Sequence, residues 1–296
     1  MRLFAAIVIS VKEIASGRWL LWLAVPPEGA QATAGQFYML RCSEGLDPLL
    51  RRPIAFHRTR FSVSPYGNRP DVLPDVALGQ REDFGLPGGE FSRELDTARL
   101  PSPFVAVAFL VAKAGRGTAW LVSRRPGDVV DTLGPLGSGY AISPGSRHLL
   151  LLAGGMGIAP LVALAEAAVA RDLSVTLLLG AASKDQAYPA EFLPPQVEVV
   201  LATDDGSAGT KGVVTDLLPA YLDWADQIFA CGPVPMYASL ASILVRSTRR
   251  KSVQISIEER MACGVGACLS CSVETRHGIK TACKDGPVLE LKEVFR

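Results

Sequence analysis

The C-terminal segment of this chain holds four of its six cysteines, and their spacing limits what the segment can fold into. Three follow a C-x4-C-x2-C pattern and the fourth comes after a short predicted hairpin: Cys263, Cys268, Cys271 and Cys283. This is the spacing of plant-type [2Fe–2S] sites, in which thiolates hold the irons and nearby N–H groups tune the potential. Gly264 and Gly266 lie in the four-residue loop and would let it wrap tightly with its amides toward sulfur. The segment is therefore predicted to bind a [2Fe–2S] cluster.

Two other uses of these cysteines stay open. A structural zinc site commonly has two C-x2-C pairs, whereas only Cys268 and Cys271 form such a pair here. A disulfide framework is typical of short secreted chains, and a chain of 296 residues can bury a core of its own. An iron–sulfur cluster carries single electrons, so another part of the chain is expected to supply or accept them.

Composition places the chain among ordinary globular proteins. With 296 residues, 49% of them hydrophobic and 20% charged, two or three domains are expected. A net charge of +1 shows no general preference for nucleic acid or for an anionic membrane. Residues 1–11 are apolar but lead into Lys12 and Glu13 instead of a small-residue cleavage site, so we interpret them as a first strand and expect a cytoplasmic protein. No apolar run is long enough to span a bilayer.

The first third of the chain has the pattern of an antiparallel sandwich or barrel. Short β-branched and aromatic runs at residues 6–10, 19–24 and 35–41 are separated by turn residues. Arg52 then precedes Pro53, which fixes the backbone and would hold the guanidinium in one orientation, suited to a diphosphate. The same basic segment could also be a solvated surface turn.

Residues 57–103 interrupt this pattern with many prolines and glycines, which predicts an insertion looping out of the barrel. Strand character returns at residues 104–111, and a Gly-Arg-Gly-Thr turn at residues 115–118 opens a helix. The free N–H groups of such a turn suit a phosphate. Thr118 is predicted to be the N-cap of this helix, and capping alone could also explain it. Residues 131–137 are predicted to close the barrel.

From residue 148 the pattern becomes that of a doubly wound parallel sheet. Buried strands are predicted at residues 148–153, 174–180, 197–202 and 227–230, with helices between them. Loops at residues 154–160, 203–206 and 231–233 follow three of these strands, on the edge where such sheets bind dinucleotides. The glycine-rich loop departs from the G-x-G-x-x-G fingerprint and could lack a ligand. Cys231, like Cys42, could be a buried hydrophobe.

Taken together, these segments resemble the ferredoxin–NADP reductase superfamily, and within it the electron transfer subunits of NAD-linked dihydroorotate dehydrogenases. The resemblance covers nearly the whole chain outside the insertion. It rests on the order of barrel, nucleotide domain and cluster domain, and on residues 35–37, 52–54, 115–118, 134–137, 154–160, 231–233 and 284–288 together with the C-terminal cysteines.

The resemblance implies a FAD-binding β-barrel at residues 1–145, a NAD-binding α/β domain at residues 146–250 and a [2Fe–2S] domain at residues 251–296. The residues implied for FAD are Arg52, Pro53, Ile54, Ala55, Leu110, Val111, Ala112, Gly117 and Thr118. Those implied for NAD are Gly154, Gly155, Gly157, Ala159, Pro160, Asp204, Gly232 and Pro233, with Cys231 beside the nicotinamide as a candidate catalytic residue. The four C-terminal cysteines are the implied cluster ligands.

The partner implied by the resemblance is an FMN-binding catalytic subunit that oxidises dihydroorotate to orotate in pyrimidine biosynthesis, with two copies of each chain in a heterotetramer. Electrons would pass from FMN through the cluster to FAD and leave as hydride to NAD. One alternative is the flavin and iron–sulfur subunit of a ferredoxin-dependent or sulfide-type NAD(P)H oxidoreductase. Another, of a different class, is a zinc-stabilised interaction module.

Two positions depart from the family pattern. Ala55 stands where a serine or threonine is usual, and Ala112 stands where an arginine is usual. A hydroxyl near the flavin and one diphosphate contact are therefore expected to be missing. Residues 180–185 contain no arginine for a 2′-phosphate, which favours NAD, although Lys184 leaves NADP open.

Overall fold

The computed structural model describes residues 1–61, 103–246 and 251–295. Within these ranges, no helix is long and apolar enough to cross a membrane.

Six antiparallel strands close into a barrel in the order β1-β2-β5-β4-β3-β6, so the first domain is a barrel and not a sandwich. The strands are β1 (Arg2–Ala15), β2 (Arg18–Val25), β3 (Phe37–Leu40), β4 (Arg52–Phe61), β5 (Val105–Ala112) and β6 (Val129–Leu136). Tyr38 and Phe109 fill the interior edge to face, with ring centroids 5.2 Å apart. Helix α1 (Arg116–Val122) follows β5.

Strand β4 continues beyond the predicted start of the insertion. Its last five residues, from His57 to Phe61, belong to the barrel, so the expected boundary at residue 57 is too early. Arg58 is buried there because it faces the neighbouring domain, which no local pattern in the sequence reveals. The rest of the predicted insertion, residues 62–102, lies outside the described residues.

The second sheet has seven strands in the order β10-β9-β8-β7-β11-β12-β15. They are β7 (His148–Gly154), β8 (Ser174–Ala181), β9 (Glu198–Thr203), β10 (Thr210–Lys211), β11 (Gln227–Cys231), β12 (Ser252–Ser256) and β15 (Val288–Glu290). All pair in parallel except β15, which runs antiparallel to β12. The predicted parallel sheet is confirmed, and the unbroken apolar run of β7 lies at its buried centre.

The helices between these strands are fewer than predicted. In the described part of the sheet domain the α-helices are α2 (Ile158–Val169), after β7, and α3 (Val234–Val245), after β11. The connections after β8 and β9 carry 3-10 turns instead, at Lys184–Gln186, Ala190–Phe192 and Val214–Tyr221. Pro219 explains the form of the last of these turns, because a proline in a helix interior removes a hydrogen bond and clashes with the preceding turn.

The C-terminal segment is tied to both larger units. Strand β12 lies beyond the predicted boundary at residue 250 and yet pairs with β11 in the parallel sheet. A loop carrying the first three clustered cysteines follows, then the hairpin β13 (Ser272–Thr275) and β14 (Gly278–Thr281). β15 returns to the parallel sheet, and the short helix α4 (Leu291–Val294) follows it.

Candidate functional site

The four C-terminal cysteines form two pairs of thiols. Cys263 and Cys268 are within hydrogen-bonding reach of each other, as are Cys271 and Cys283. The two pairs lie close enough for the charge of Cys263 to affect Cys283. The structure therefore brings all four predicted ligands together.

Backbone amides of the loop point at these sulfurs. The N–H groups of Val265 and Ala267 donate to Sγ of Cys263 over 3.4 and 3.3 Å. The N–H of Gly266 donates to Sγ of Cys283 over 3.1 Å. The prediction that this loop turns its amides toward sulfur is confirmed. Such donors stabilise thiolates and tune the potential of a bound cluster.

The two glycines of the loop are required by its conformation and by its close packing. Gly264 and Gly266 have φ values of +75° and +80°, in the left-handed region that other residues rarely adopt. A Cβ atom on Gly264 would lie 2.7 Å from Cγ of Met39 and 3.1 Å from Cδ1 of Leu136. The cluster loop thus lies directly against strands β3 and β6 of the barrel.

The clustered thiols differ in exposure, and Cys268 and Cys283 also differ in proton affinity. Cys268 is exposed, whereas Cys271 and Cys283 are buried. The hydrogen bond between the Cys268 thiol and the Ser270 hydroxyl is the main cause that lowers the pKa of Cys268 to about 6. Burial raises the pKa of Cys283 to about 12. Cys268 can therefore ionise unaided, whereas Cys283 needs a nearby cation to become a thiolate.

Paired thiols fit a dinuclear cluster better than a single metal ion. A mononuclear zinc site gathers four ligands about one centre, whereas a [2Fe–2S] cluster divides four thiolates between two irons. The pairs and their amide donors therefore fit the cluster that the spacing predicts.

In the barrel, Arg52 lies against the turn that opens α1. A Cβ atom on Gly117 would be 3.0 Å from Nε of Arg52, so this glycine lets the turn approach the guanidinium. Nη1 of Arg52 donates to the carbonyl of Leu50 over 2.7 Å, and no described carboxylate pairs with it. Its neighbour Arg51, in contrast, forms a 2.7 Å ion pair with Asp131. Arg52 therefore keeps donors available for an anionic ligand.

The structure corrects the role of Thr118 in this turn. Gly115 is the N-cap of α1, and Thr118 is the third helical residue. The Thr118 hydroxyl accepts hydrogen bonds from the N–H groups of Ala114 and Gly115 over 3.0 and 3.1 Å. The predicted N-cap is wrong because the hydroxyl reaches back to the turn from inside the helix, a position that a capping residue does not occupy.

The other residues predicted to bind FAD lie on β4 and the neighbouring strand β5: Pro53, Ile54, Ala55, Leu110, Val111 and Ala112. Ala55 and Leu110 pack against the core of the nucleotide domain, so this part of the barrel faces that domain. Ala112, where the family pattern has an arginine, pairs directly with Arg18 of β2.

The glycine-rich turn after β7 packs tightly on the loop after β11. A Cβ atom on Gly157 would lie 1.8 Å from the carbonyl oxygen of Cys231, and one on Gly154 would lie 2.8 Å from Cδ of Pro233. Gly155 has a φ of +57°. No larger residue could replace Gly157 without moving a strand end. Two of the three predicted loops, with the buried helix-start residues Ala159 and Pro160, therefore form one continuous surface.

Cys231 is buried at the end of β11. Burial is the main cause that raises the pKa of its thiol, so the sulfur is uncharged at neutral pH. The next residue, Gly232, donates its N–H to the hydroxyl of Tyr237 over 2.9 Å, and that hydroxyl donates to the carbonyl of Ser256 over 2.6 Å. Cys231 is therefore a buried, uncharged thiol beside a hydrogen-bonded loop, which suits packing against a ligand and does not produce a thiolate nucleophile.

The third predicted loop is farther away. Asp204 is exposed at the end of β9, where its N–H donates to the carbonyl of Ala181 over 3.1 Å. Strand β8 separates β9 from β7 in the sheet order. Asp204 therefore shares the carboxyl edge of the sheet with the glycine-rich turn but is not adjacent to it.

His57, which the sequence assigned to the insertion, links the predicted flavin strand to the nucleotide turn. Its Nδ1 lies 2.8 Å from the carbonyl oxygen of Ala159, and its Nε2 lies 3.0 Å from the hydroxyl of Tyr188. Burial, followed by the charge of Arg58, holds the pKa of His57 well below its usual value. In the neutral ring Nδ1–H donates to Ala159, and Nε2 accepts from Tyr188.

Two arginines next to His57 extend this contact. The buried Arg58 donates to the carbonyl of Phe192 over 2.5 Å and lies 3.5 Å from the carboxylate of Glu166 on α2. Arg60 donates to both oxygens of the same carboxylate over 2.9 and 3.3 Å. No sequence pattern signals these partners, because more than one hundred residues separate Arg58 from Glu166.

Known proteins with similar sequences agree with this architecture. Residues 258–295 match the family model described as the iron–sulfur cluster binding domain of dihydroorotate dehydrogenase B. The dihydroorotate dehydrogenase B (NAD(+)) electron transfer subunit of Desulforamulus reducens is 34% identical, over 97% of this chain and 96% of its own length. That of Bacillus cereus strain Q1 is 32% identical over the same shares.

Solved structures agree in fold. An NADH-dependent reduced ferredoxin–NADP oxidoreductase, studied for flavin-based electron bifurcation, has a TM-score of 0.73 and 26% identity, over 98% of this chain and 89% of its own. Phthalate dioxygenase reductase has a TM-score of 0.57 at 14% identity, over 93% of this chain and 87% of its own, and shares the fold. Because the identity to curated relatives exceeds 30% along almost the entire length, this chain belongs to the family of dihydroorotate dehydrogenase B (NAD(+)) electron transfer subunits.

Proposed function

We propose that this chain carries electrons from a dihydroorotate dehydrogenase catalytic subunit to NAD+, using a [2Fe–2S] cluster and FAD. The observation that carries the proposal is the set of two thiol pairs with amide donors, packed against a barrel that presents an unpaired Arg52. Identity to the curated relatives is higher than identity to the ferredoxin–NADP oxidoreductase, which favours this activity over the alternative reductase. The cysteine spacing, with a single C-x2-C pair, disfavours a zinc-stabilised module.

The cluster would be held by Cys263 and Cys268 on one iron and by Cys271 and Cys283 on the other. When bound, the cluster accepts and releases one electron at a time. The loop provides N–H groups toward sulfur and keeps Cys271 and Cys283 away from water. Both features favour a cluster that keeps its ligands during repeated electron transfer.

FAD would be held where Arg52 meets the Gly117 turn, with β4 and β5 providing the surface. When bound, FAD converts single electrons into a hydride, which no side chain here could do. Arg52 would bind the diphosphate, since a guanidinium fork matches paired phosphate oxygens. Ala55 provides no hydroxyl to the flavin.

NAD would dock on the surface formed by residues 154–160 and 231–233, with Gly154, Gly155, Gly157, Gly232 and Pro233 close to it. The glycines leave the backbone of this turn open to a ligand, and the turn opens helix α2, whose N-terminus favours an anion. Cys231 would form part of the wall beside the nicotinamide as an uncharged thiol. Asp204 would contact a more distant part of the nucleotide.

The position of the barrel supports this order of electron transfer. The cluster loop packs on Met39 of β3, and the nucleotide turn is linked to His57 of β4. A flavin on the barrel would therefore lie between the cluster and the nicotinamide. This arrangement separates the one-electron and the hydride partners on opposite sides of the cofactor that can exchange with both.

The partner would be an FMN-binding catalytic subunit, in a heterotetramer with two copies of each chain. Cys268 and Leu269 are exposed at the tip of the cluster loop, and Leu269 is 62% exposed. An apolar side chain beside an exposed cluster ligand suits a protein interface. We also propose a cytoplasmic location, because cluster-binding thiols need a reducing compartment.

The first experiment is a pull-down of the tagged chain from its native cells, with the copurifying chain identified. The expected result is an FMN-containing partner, and an eluate that reduces NAD+ when given dihydroorotate. A different partner, with flavin and iron still bound, would contradict the proposed substrate. Cys268→Ser should abolish the cluster spectrum and retain flavin, with Cys42→Ala as the matched control at a buried cysteine outside the cluster.

A second comparison tests the flavin site. Arg52→Gln should lower the flavin content of the purified chain, whereas Arg51→Gln, at the arginine already paired with Asp131, should not. Equal flavin content in the two variants would contradict the role of Arg52.

A further inference from the structure

The tip of the first hairpin of the barrel reaches across to the nucleotide domain. The N–H of Ser16 donates to the carbonyl of Asp185 over 2.9 Å, and Nε of Arg18 donates to the carbonyl of Gln186 over 2.6 Å. Both acceptors lie in the connection after β8. A barrel arginine is therefore held against the loop that follows the second strand of the nucleotide sheet.

The same arginine also lies near the glycine-rich turn after β7. A Cβ atom on Gly155 would be 4.0 Å from Nη2 of Arg18, and no other heavy atom outside the neighbouring residues comes within this distance. Gly155 has a φ of +57°, which opens the backbone on this side. The guanidinium thus stands between the carboxyl ends of β7 and β8, where a doubly wound sheet receives the diphosphate and adjoining ribose of a dinucleotide.

Arg18 has donor capacity to spare. It is half-buried, and Gln186 is the one described residue to which it donates. No described carboxylate lies within ion-pair distance of it. Burial lowers the pKa of Arg18, but a guanidinium is so strong a base that it remains charged at neutral pH. The guanidinium of Arg18 is thus held in place without a described carboxylate partner, and an anionic ligand could provide the missing negative charge.

The pairing of β2 with β5 connects this observation to the missing family arginine. Arg18 is the direct partner of Ala112 in the antiparallel register. Side chains directly opposite on neighbouring strands have Cβ atoms about 5 Å apart. Arg18 therefore lies beside the position of the missing flavin-site arginine, so its test has to distinguish binding to the FAD diphosphate from binding to the nicotinamide dinucleotide.

We propose that Arg18, a residue of the flavin barrel, binds the diphosphate of the nicotinamide dinucleotide docked on residues 154–160. The nucleotide site is then shared between two domains, and its affinity depends on how the barrel hairpin is seated. The inference rests on the proposed function, since it assumes that a dinucleotide occupies this turn. Nη1 and Nη2 would donate to phosphate oxygens while Nε keeps its bond to Gln186.

The test uses the full chain with flavin and cluster bound, in the wild type and in the variants Arg18→Gln and Arg18→Lys. Calorimetry measures the binding of ADP and of adenosine, and rapid mixing measures flavin reduction at increasing NADH concentration. We expect Arg18→Gln to weaken ADP binding and raise the half-saturating NADH concentration about tenfold or more, as the loss of a charge-assisted hydrogen bond predicts. Adenosine binding, the limiting reduction rate and the flavin content should not change, and Arg18→Lys should recover part of the ADP affinity.

Arg125→Gln is the matched control, because it removes the same charge from an exposed barrel position. Unchanged ADP and NADH affinities in Arg18→Gln would overturn the proposal. So would loss of flavin with unchanged ADP affinity, which would assign Arg18 to the FAD diphosphate. Equal weakening of ADP binding and adenosine binding would show that Arg18 acts only by holding the two domains together. Because ADP binding needs no electron transfer, a wild-type protein that fails to reduce NAD+ counts against the proposed function and leaves this comparison decisive.

Discussion

The barrel contacts its two neighbours through surfaces of opposite chemistry. Toward the nucleotide domain, β4 presents the buried His57 and Arg58, which are bonded to a carbonyl, a hydroxyl and a carboxylate of that domain. Toward the cluster loop, β3 and β6 present Met39 and Leu136, which pack on Gly264. The first contact adds charged, directional bonds to the apolar packing of Ala55 and Leu110, whereas the contact with the cluster loop is apolar and depends on shape.

This difference matches what each side has to do. Hydride transfer requires reacting atoms about 3–3.5 Å apart and aligned, so the flavin strand and the nucleotide turn must keep one orientation. Hydrogen bonds with defined donors and acceptors fix an orientation, but every buried partner then has to be present. Apolar packing has no such direction and tolerates exchange at constant volume, although it leaves no room for added atoms.

The largest loss of stability is expected from Glu166→Ala. This variant leaves Arg58, whose side chain is 4% exposed, without a carboxylate in a dry interface. We expect the free energy of unfolding to fall by about 3 kcal/mol, near the lower end for a broken buried pair because Glu166 is partly exposed. Chemical denaturation followed by far-UV circular dichroism measures it. Arg60→Ala removes the half-exposed partner of the same carboxylate and should cost about 1 kcal/mol or less. Equal losses would show that burial of Arg58 does not govern this contact.

The next effect is expected from Gly264→Ala on the apolar side. A methyl group would require a positive φ from alanine, at about 1 kcal/mol, and would also press on Met39, at about 1 kcal/mol because the methionine side chain is flexible. We expect about 2 kcal/mol of destabilisation and a marked loss of iron per chain, measured by iron analysis and the cluster absorbance.

Gly278→Ala separates these two causes. Gly278 has a φ of +101° in the same segment, but a Cβ atom there would meet nothing within 4 Å. Gly278→Ala should therefore lose only the stability that depends on backbone conformation, and it should keep its cluster. A similar loss of iron in both variants would mean that backbone strain, and not contact with the barrel, controls the loop.

The third effect is a pH dependence that belongs to the polar side. The folded pKa of His57 is far below 6.5, first because the ring is buried and then because Arg58 is close. Below pH 6.5 the unfolded chain binds a proton that the folded chain does not. The free energy of unfolding therefore decreases as the pH is lowered, until the pH reaches the folded pKa of His57. The slope from this one group is at most about 1.4 kcal/mol per pH unit.

His57→Gln should remove that slope while keeping an amide that can donate to Ala159. Denaturation at pH 7.5, 6.5 and 5.5 in both proteins checks this, and the difference between them isolates the histidine. Parallel curves for wild type and variant would place the acid sensitivity in other groups.

Some of this architecture could be predicted because its chemistry is local. The proposed cluster ligands at residues 263, 268 and 271 are suggested by their spacing, since it places three thiols on a single loop within reach of one inorganic core. The glycine turn at residues 154–157 was predicted for a similar reason, because it follows a buried strand of a parallel sheet.

The rest depends on contacts between distant parts of the chain. His57 and Arg18 resemble ordinary strand residues, and they acquire a role when Ala159 and Gln186 are brought to them by the packing of two domains. Thr118 was misplaced by three positions because Gly115 also suits an N-cap. The helix expected after β9 is a 3-10 turn because Pro219 interrupts it.

The smallest effect is expected from Met39→Leu, and it sharpens the comparison most directly. Leucine has nearly the volume of methionine, so it can fill the same space between β3 and the cluster loop, and the cost should be below about 1 kcal/mol with iron content unchanged. Denaturation and iron analysis of Met39→Leu beside Glu166→Ala measure this difference. If an apolar exchange at constant volume cost as much as removing the buried carboxylate, the cluster side would need the same exact partners as the nucleotide side. Both contacts of the barrel would then depend on specific geometry. The two surfaces would differ only in polarity, and not in how strictly they require their partners.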